Sequence, residues 1–83
     1  MKYSKDWYEG FTVAMVWLHD IFKSRTNALY ARGVRKRDVR MILAIIDAAF
    51  MARKKMSEIG PRAMDLILHS DGTAEFIERI PKE

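Results

Sequence analysis

The apolar residues between Val39 and Ile59 follow a helical period and cover more than half of the helix's circumference. One arc holds Val39, Ile42, Leu43, Ile46 and Phe50. A second arc on the adjoining side holds Met41, Ile45, Ala48, Ala52, Met56 and Ile59. A surface helix ordinarily has a single apolar stripe. The pattern therefore predicts a helix over about 36–59 that needs neighbours on two sides, and Gly60-Pro61 is expected to end it.

An earlier helix is predicted from about residue 4 to residue 32. Ser4 is a suitable N-cap, and carboxylates follow in the first turn, where the helix dipole favours them. Helically spaced apolar residues then continue along the chain: Trp7, Phe11, Ala14, Leu18, Ile21 and Leu29. Two interpretations of its end remain open. The helix runs unbroken to Arg32 with Gly33 as its C-terminal cap, or it breaks near 24–26, where Thr26 caps a short second helix.

This first helix has more apolar surface than one neighbour needs. Val13, Val16 and Trp17 widen its apolar face beyond a single contact. Gly10 lowers its helix propensity and indicates a place where another helix can cross closely.

Residues 64–80 predict a β-hairpin. Asp71-Gly72 between two apolar runs is the strongest short-range signal for such a turn. A three-residue turn places four apolar side chains on one face: Leu66, Leu68, Ala74 and Phe76. The alternative is a short helix over 61–69 and a helical turn after Gly72. Two strands are not stable alone, so a hairpin must lie on the helices or pair with a second molecule.

Together these elements predict a mainly α single domain over 1–83, with two long antiparallel helices and a C-terminal hairpin or short helices. For 83 residues, a 49% hydrophobic composition is rich. With the two-sided central helix, it favours a homodimer or higher oligomer. The alternative is that the first helix and the C-terminal segment cover both faces within one molecule. The residues predicted for a protein interface are Trp17, Tyr30, Met41, Ile45, Ala48, Ala52 and Met56.

Composition excludes several classes of protein. The chain has no cysteine, so a disulfide framework and thiolate metal sites are excluded. Its uncharged apolar runs are too short for a membrane span. Asp6 and Glu9 interrupt the positions that a signal peptide would need, and His19-Asp20 replaces a cleavage site. We therefore expect a cytoplasmic protein without a membrane anchor.

The residues that could carry out catalysis are few and scattered. His19 and His69 are fifty residues apart, and the adjacent His69-Ser70-Asp71 cannot adopt the geometry of a catalytic triad. The four glycines lie singly, which excludes a glycine-rich phosphate loop. We expect a protein that is not an enzyme and that has no cofactor or metal.

The charge of the chain is unevenly distributed. Residues 23–40, here called the basic region, carry seven basic residues against one acidic residue, a net charge of +6: Lys23, Arg25, Arg32, Arg35, Lys36, Arg37 and Arg40, against Asp38. Residues 56–83 carry three basic against six acidic residues, a net charge of −3. Such polarity can steer an anionic partner, or can pair the tail of one protomer with the basic region of another.

Several cations of the basic region coincide with the start of the central helix. Positive side chains there oppose the helix dipole, whereas guanidinium groups and free backbone N–H groups together favour phosphate. Residues 28–34, followed by Val39 and Ile42, also resemble a helix-turn-helix in their turn glycine and apolar anchors. That resemblance implies that Arg35, Lys36, Arg37 and Arg40 face a DNA groove. Leu29 and Arg32 depart from the pattern.

Two functions from different classes follow. The first is a small binding or regulatory protein whose basic region contacts DNA, RNA, a nucleotide or another phosphate-bearing ligand. The second is an adaptor or stoichiometric inhibitor that captures a host protein through an exposed helix face.

Overall fold

The chain folds as a helical layer followed by a C-terminal hairpin. The computed structural model describes residues 4–79, which contain four α-helices, one 3-10 turn and two strands. The elements are α1 (Lys5–Ser24), α2 (Thr26–Ala31), α3 (Lys36–Met51), α4 (Arg53–Ile59), the 3-10 turn (Pro61–Ala63), β1 (Met64–Leu68) and β2 (Ala74–Glu78). The predicted mainly α fold with a terminal hairpin is confirmed. Ile80, the last residue of the predicted hairpin, lies outside the described residues.

The first helix breaks at Arg25, as the second of the two open interpretations proposed. Ser4 caps α1, since its Oγ accepts a hydrogen bond from the Trp7 N–H at 3.1 Å. Arg25 has φ −106° and ψ 12°, which is outside the helical range and separates α1 from α2. Thr26 is not the cap of α2, because its hydroxyl donates backwards to the Lys23 carbonyl at 3.3 Å.

Gly33 reverses the chain between α2 and α3. Its φ of +88° is in the left-handed range, where glycine has no steric penalty. The Gly33 N–H donates to the Tyr30 carbonyl and the Val34 N–H to the Leu29 carbonyl, each at 3.0 Å. These two bonds form a Schellman motif, which satisfies the last carbonyls of α2 and fixes where α3 begins.

The predicted helix over 36–59 is interrupted by a bend at Ala52, which the sequence analysis did not predict. Ala52 has φ −92° and ψ 3°, although the backbone hydrogen bond from Met56 to Ala52 continues the helical pattern at 2.9 Å. Arg53 stabilises the bend, since its Nη1 donates to the Phe50 carbonyl at 2.8 Å. Its guanidinium also lies 3.9 Å from the Phe50 ring centroid and 5.5 Å from that of Tyr8 on α1.

Most of the two apolar arcs of α3 is covered within one molecule, although Met41 remains exposed. Helix α1 and strand β2 both pack on α3. Val39 is 1% exposed, and Ala48 and Ala49 are also buried. The alternative in which the first helix and the C-terminal segment cover α3 within one molecule is therefore the one that the structure shows. The apolar pattern of α3 alone does not require an oligomer.

A small core joins α1, α3, α4 and the hairpin. Ala49, Met56 and Met64 are its buried centre. Six half-buried side chains surround them: Trp7, Phe11, Met15, Ala52, Ile59 and Phe76. Of the apolar stripe predicted for α1, Trp7 and Phe11 pack on the core, whereas Ala14, Leu18 and Ile21 are exposed and the neighbouring Met15 packs on the core instead. Helix α1 is apolar on more than one side, so its spacing could not identify the packed side.

The hairpin has the predicted register and face. Leu66 lies opposite Phe76 and Leu68 opposite Ala74, so these four side chains share one face. The His69 N–H donates to the Thr73 carbonyl at 2.9 Å, which closes a three-residue turn with Gly72 at φ +90°. Strand β2 lies on α3. Leu66 and Leu68 on β1 remain exposed.

Replacing Gly33 tests the turn that places α3. An added Cβ would meet no atom within 4 Å, so any cost of substitution comes from the backbone conformation. We expect Gly33→Ala to lower the free energy of unfolding by about 1 kcal/mol. Gly33→Asn should cost less, because asparagine tolerates positive φ better. Urea denaturation at one protein concentration measures both losses. Equal losses would contradict the argument from φ.

Arg53 should matter more to stability than its sequence neighbour. A hydrogen bond from a charged group contributes about 1.5–3 kcal/mol and a cation–π contact about 0.5–2 kcal/mol. The buried Arg53 Nε has no hydrogen-bond partner, which offsets part of that gain. We expect Arg53→Met to lower the free energy of unfolding by about 1–2 kcal/mol. Lys54→Met, at an exposed position, should change it by less than about 0.5 kcal/mol. Similar effects in the two variants would show that Arg53 does not hold the bend.

Candidate functional site

The seven cations of the basic region lie where α1 ends, α2 passes and α3 begins. Lys23 is in the last turn of α1, Arg25 separates α1 from α2, and Arg32 follows α2. Arg35 is the N-cap residue of α3, although its side chain makes no capping hydrogen bond. All seven side chains are exposed to solvent, so each is available to a partner.

The start of α3 presents three cations on one side. Lys36, Arg37 and Arg40 have the spacing of neighbours on a helix surface, and all are exposed, whereas Val39 points into the protein. The Lys36 Nζ lies 5.9 Å from the centroid of the Tyr30 ring, a cation–π contact between α2 and α3. The Gly33 turn and this contact thus hold the cations at the start of α3 close to the end of α2.

None of the seven cations forms an ion pair within residues 4–79. The carboxylates of the C-terminal part have other partners. Glu78 pairs with Lys55 of α4 at 3.3 Å, and Asp65 with Arg79 at 2.8 Å within the hairpin. Glu75 lies 2.9 Å from His69. The charge separation in the sequence is therefore preserved in the fold, and the basic region keeps its positive charge at the surface.

A groove of about 500 Å³ lies between the first turns of α3 and the hairpin turn. Arg37, Arg40 and Met41 line the α3 side, and Asp71 lines the hairpin side. The Thr73 hydroxyl and backbone N–H donate to the Asp71 carboxylate at 2.6 and 2.9 Å and hold its pKa below the usual value. This carboxylate therefore stays charged at neutral pH. The groove is lined by charges of both signs, so it is not a purely cationic pocket. The cationic surface is therefore the exposed side of the basic region and not this groove.

The residues predicted for a protein interface do not form one surface. Trp17 is on α1 and 68% exposed. Met41 on α3 is exposed, whereas Tyr30, Ile45 and Ala52 are half-buried. Ala48 and Met56 are 7% and 3% exposed, because the chain itself covers them. The last two side chains are thus already used in packing within the molecule.

Sequence reasoning missed part of an exposed apolar surface on α1. The structure leaves Leu18 and Ile21 exposed, together with Val13, Val16 and Trp17. The signal was present, since three of these residues widened the apolar face beyond one contact. The prediction placed Leu18 and Ile21 in the apolar stripe of this helix without saying which side of the helix packs.

The described part of the chain has few features that indicate other chemistry. Residues 4–79 contain no group of three His, Asp or Glu side chains placed to hold a metal ion. None of the helices in this range has the length and apolar content that a membrane crossing requires.

Comparisons with models of protein families, with curated protein sequences and with solved structures found no match to this chain. The candidate site therefore rests on its own geometry and charge.

Proposed function

We propose that this protein is a non-enzymatic binding or regulatory protein whose basic region contacts nucleic acid. The observation that carries the proposal is the set of seven exposed cations with no ion pair in residues 4–79. Phosphates on an extended polyanion can pair with such cations and release condensed counterions, which supplies most of the affinity of non-specific binding. Arg35, Lys36, Arg37 and Arg40 would make the first contacts, with Lys23, Arg25 and Arg32 extending the footprint.

The shape of the region favours a polymer over a small phosphate ligand. A site for one nucleotide usually has converging polar groups in a concave pocket. Here the cations are spread along α1, α3 and the segments that flank α2, and the adjacent groove contains the Asp71 carboxylate, which repels an anion. A nucleic-acid backbone can instead contact cations that are spaced along a surface.

A second candidate function is binding to another protein, as an adaptor or stoichiometric inhibitor. The exposed apolar side chains on α1 support it, above all Trp17, because tryptophan is enriched in protein interfaces. This function predicts a complex whose affinity depends weakly on salt and is lost in Trp17→Ala rather than in variants of the basic region. Self-association through an apolar face belongs to the same class of interaction.

Two matched double variants test the nucleic-acid proposal. Arg37→Gln/Arg40→Gln removes two cations from the basic region, and Lys54→Gln/Arg62→Gln removes two exposed cations outside it. Both changes lower the net charge by two. We expect only the first to weaken binding to short duplex DNA and RNA. It should also reduce the slope of log K against log salt by about 2, because each phosphate contact contributes about 0.9.

Fluorescence anisotropy with labelled DNA and RNA, between about 50 and 200 mM salt, measures both quantities. If the unmodified protein bound neither nucleic acid at the low-salt end, the proposal would be wrong. Equal losses in the two double variants would mean that net charge alone, rather than the basic region, attracts the polymer.

A further inference from the structure

Helix α1 has an apolar side that no part of its own chain covers. None of its twenty residues is buried. Phe11 and Met15 pack on the core. The adjoining side, here called the outer face of α1, consists of six exposed uncharged residues at helical spacing: Gly10, Val13, Ala14, Trp17, Leu18 and Ile21. A continuous apolar stripe over more than three turns of an exposed helix is typical of an interaction surface.

The large side chains of the outer face remain well exposed in their own molecule. Trp17 is 68% exposed, Val13 58%, Ile21 51% and Leu18 45%. A standard interface buries about 800 Å² on each partner. Apolar side chains with this exposure leave area that a second molecule can cover.

We propose that the outer face of α1 binds a second copy of this chain, with the two α1 helices antiparallel about a two-fold axis. The axis would pass between the levels of Met15 and Val16. This register pairs every member of the face with another member: Gly10 with Ile21, Val13 with Leu18, and Ala14 with Trp17. Small residues of one copy thus lie opposite large residues of the other, and the reverse holds on the other side of the axis.

A parallel pair would lack this complementarity. It would place Gly10 against Gly10 and Trp17 against Trp17, which leaves a gap at one level and crowds the other. The open surroundings of Gly10 also fit the antiparallel pair. An added Cβ at Gly10 would meet no atom of its own molecule within 4 Å, so the helix of another copy can approach closely there.

Charge supports the same orientation. The antiparallel register places Asp6 of one copy opposite Arg25 of the other, at both ends of the apolar stripe. Neither side chain has an ion-pair partner within residues 4–79 of its own chain. Parallel helices would instead bring like charges together at each end.

The exposed edge of the hairpin is the competing surface, and it is the weaker candidate. Strand β1 presents only Leu66 and Leu68 beyond α3. The hairpin also carries Asp65, Glu75 and Glu78, which lie beside Arg79, His69 and Lys55 respectively. An association of two hairpins would have to desolvate these polar groups, whereas the outer face of α1 is uncharged.

Sedimentation velocity over a concentration series tests the dimer. We expect the unmodified chain to reach 19.4 kDa, twice the 9.7 kDa of one chain. Ile21→Glu and Leu68→Glu are matched variants, because each replaces a side chain that is 51% exposed. We expect Ile21→Glu to raise the dimer dissociation constant by about tenfold or more, and Leu68→Glu to leave it unchanged.

Gly10→Leu separates association from folding. Leucine has a higher helix propensity than glycine and meets no atom within 4 Å at its Cβ, so the variant should fold at least as well as the parent. In the dimer its side chain would collide with Ile21 of the other copy. We therefore expect weaker association together with undiminished helicity by circular dichroism.

Engineered cysteines test the orientation, since the chain has none of its own. Residues 10 and 21 are about 16 Å apart along one helix, too far for an internal link. Gly10→Cys/Ile21→Cys should therefore form intermolecular cross-links with a short thiol reagent, and Gly10→Cys alone should not. Cross-linking of the single variant would overturn the antiparallel pair. A monomer at all concentrations, or a dimer that only Leu68→Glu dissociates, would overturn the whole proposal.

Discussion

The burial of α3 between α1 and β2 is the packing interaction on which the rest of the structure depends. It places Val39, Ala48 and Ala49 in the interior and fixes the directions of the helices that carry the cations. It also determines which side of α1 is used. Because α1 contributes Phe11 and Met15 to the core, Trp17 and Ile21 necessarily point away from it.

The core that results is small and adaptable. Its buried centre is one alanine and two methionines, and larger aromatic rings cover it only partly. Methionine fills irregular space well but specifies geometry weakly. The contacts of Arg53 with Phe50 and Tyr8 therefore matter, because a planar guanidinium between two rings fixes the bend at Ala52 relative to α1. Directional contacts at the edge of the core compensate for the small apolar interior.

An element of the fold could be predicted from the sequence where its residues favour one conformation only. Gly72 and Gly33 each adopt a positive φ, which few residues tolerate. The hairpin turn at Asp71-Gly72 was predicted correctly, whereas Gly33 was expected as a cap only if the first helix ran unbroken to Arg32. The bend at Ala52 has no such signal, since the residues around it favour helix and a distant tyrosine contributes to its stability. The sequence left open which side of α1 packs, because Phe11–Met15 and Val13–Trp17–Ile21 are both apolar arcs at helical spacing. Periodicity identifies an apolar side but cannot choose between two of them.

For the candidate site, the positions of the cations were predictable but their lack of partners was not. Exposure of Arg37 and Arg40 follows from their place on the polar ridge of α3. Whether the acidic C-terminal residues neutralise them depends on where the hairpin lies, which only the fold determines. The hairpin lies along α3 with three of its carboxylates beside Lys55, Arg79 and His69, so these carboxylates do not neutralise the cations of the basic region.

The two proposed surfaces share Arg25, which would pair with Asp6 of the other copy in the dimer. The other six cations of the basic region would still be available to a ligand, and the combination has a geometric consequence. In an antiparallel pair of α1 helices, each C-terminus lies about 13 Å from the two-fold axis, because nine residues rise about 1.5 Å each. The two basic regions would then lie at opposite ends of the dimer, more than about 25 Å apart. A ligand shorter than this distance could contact only one of them, whereas a longer polyanion could contact both and gain affinity from the second contact. Like the spread of cations within one basic region, this arrangement favours an extended polymer, because the contacts are far apart. The outer face of α1 would set the distance between the two basic regions.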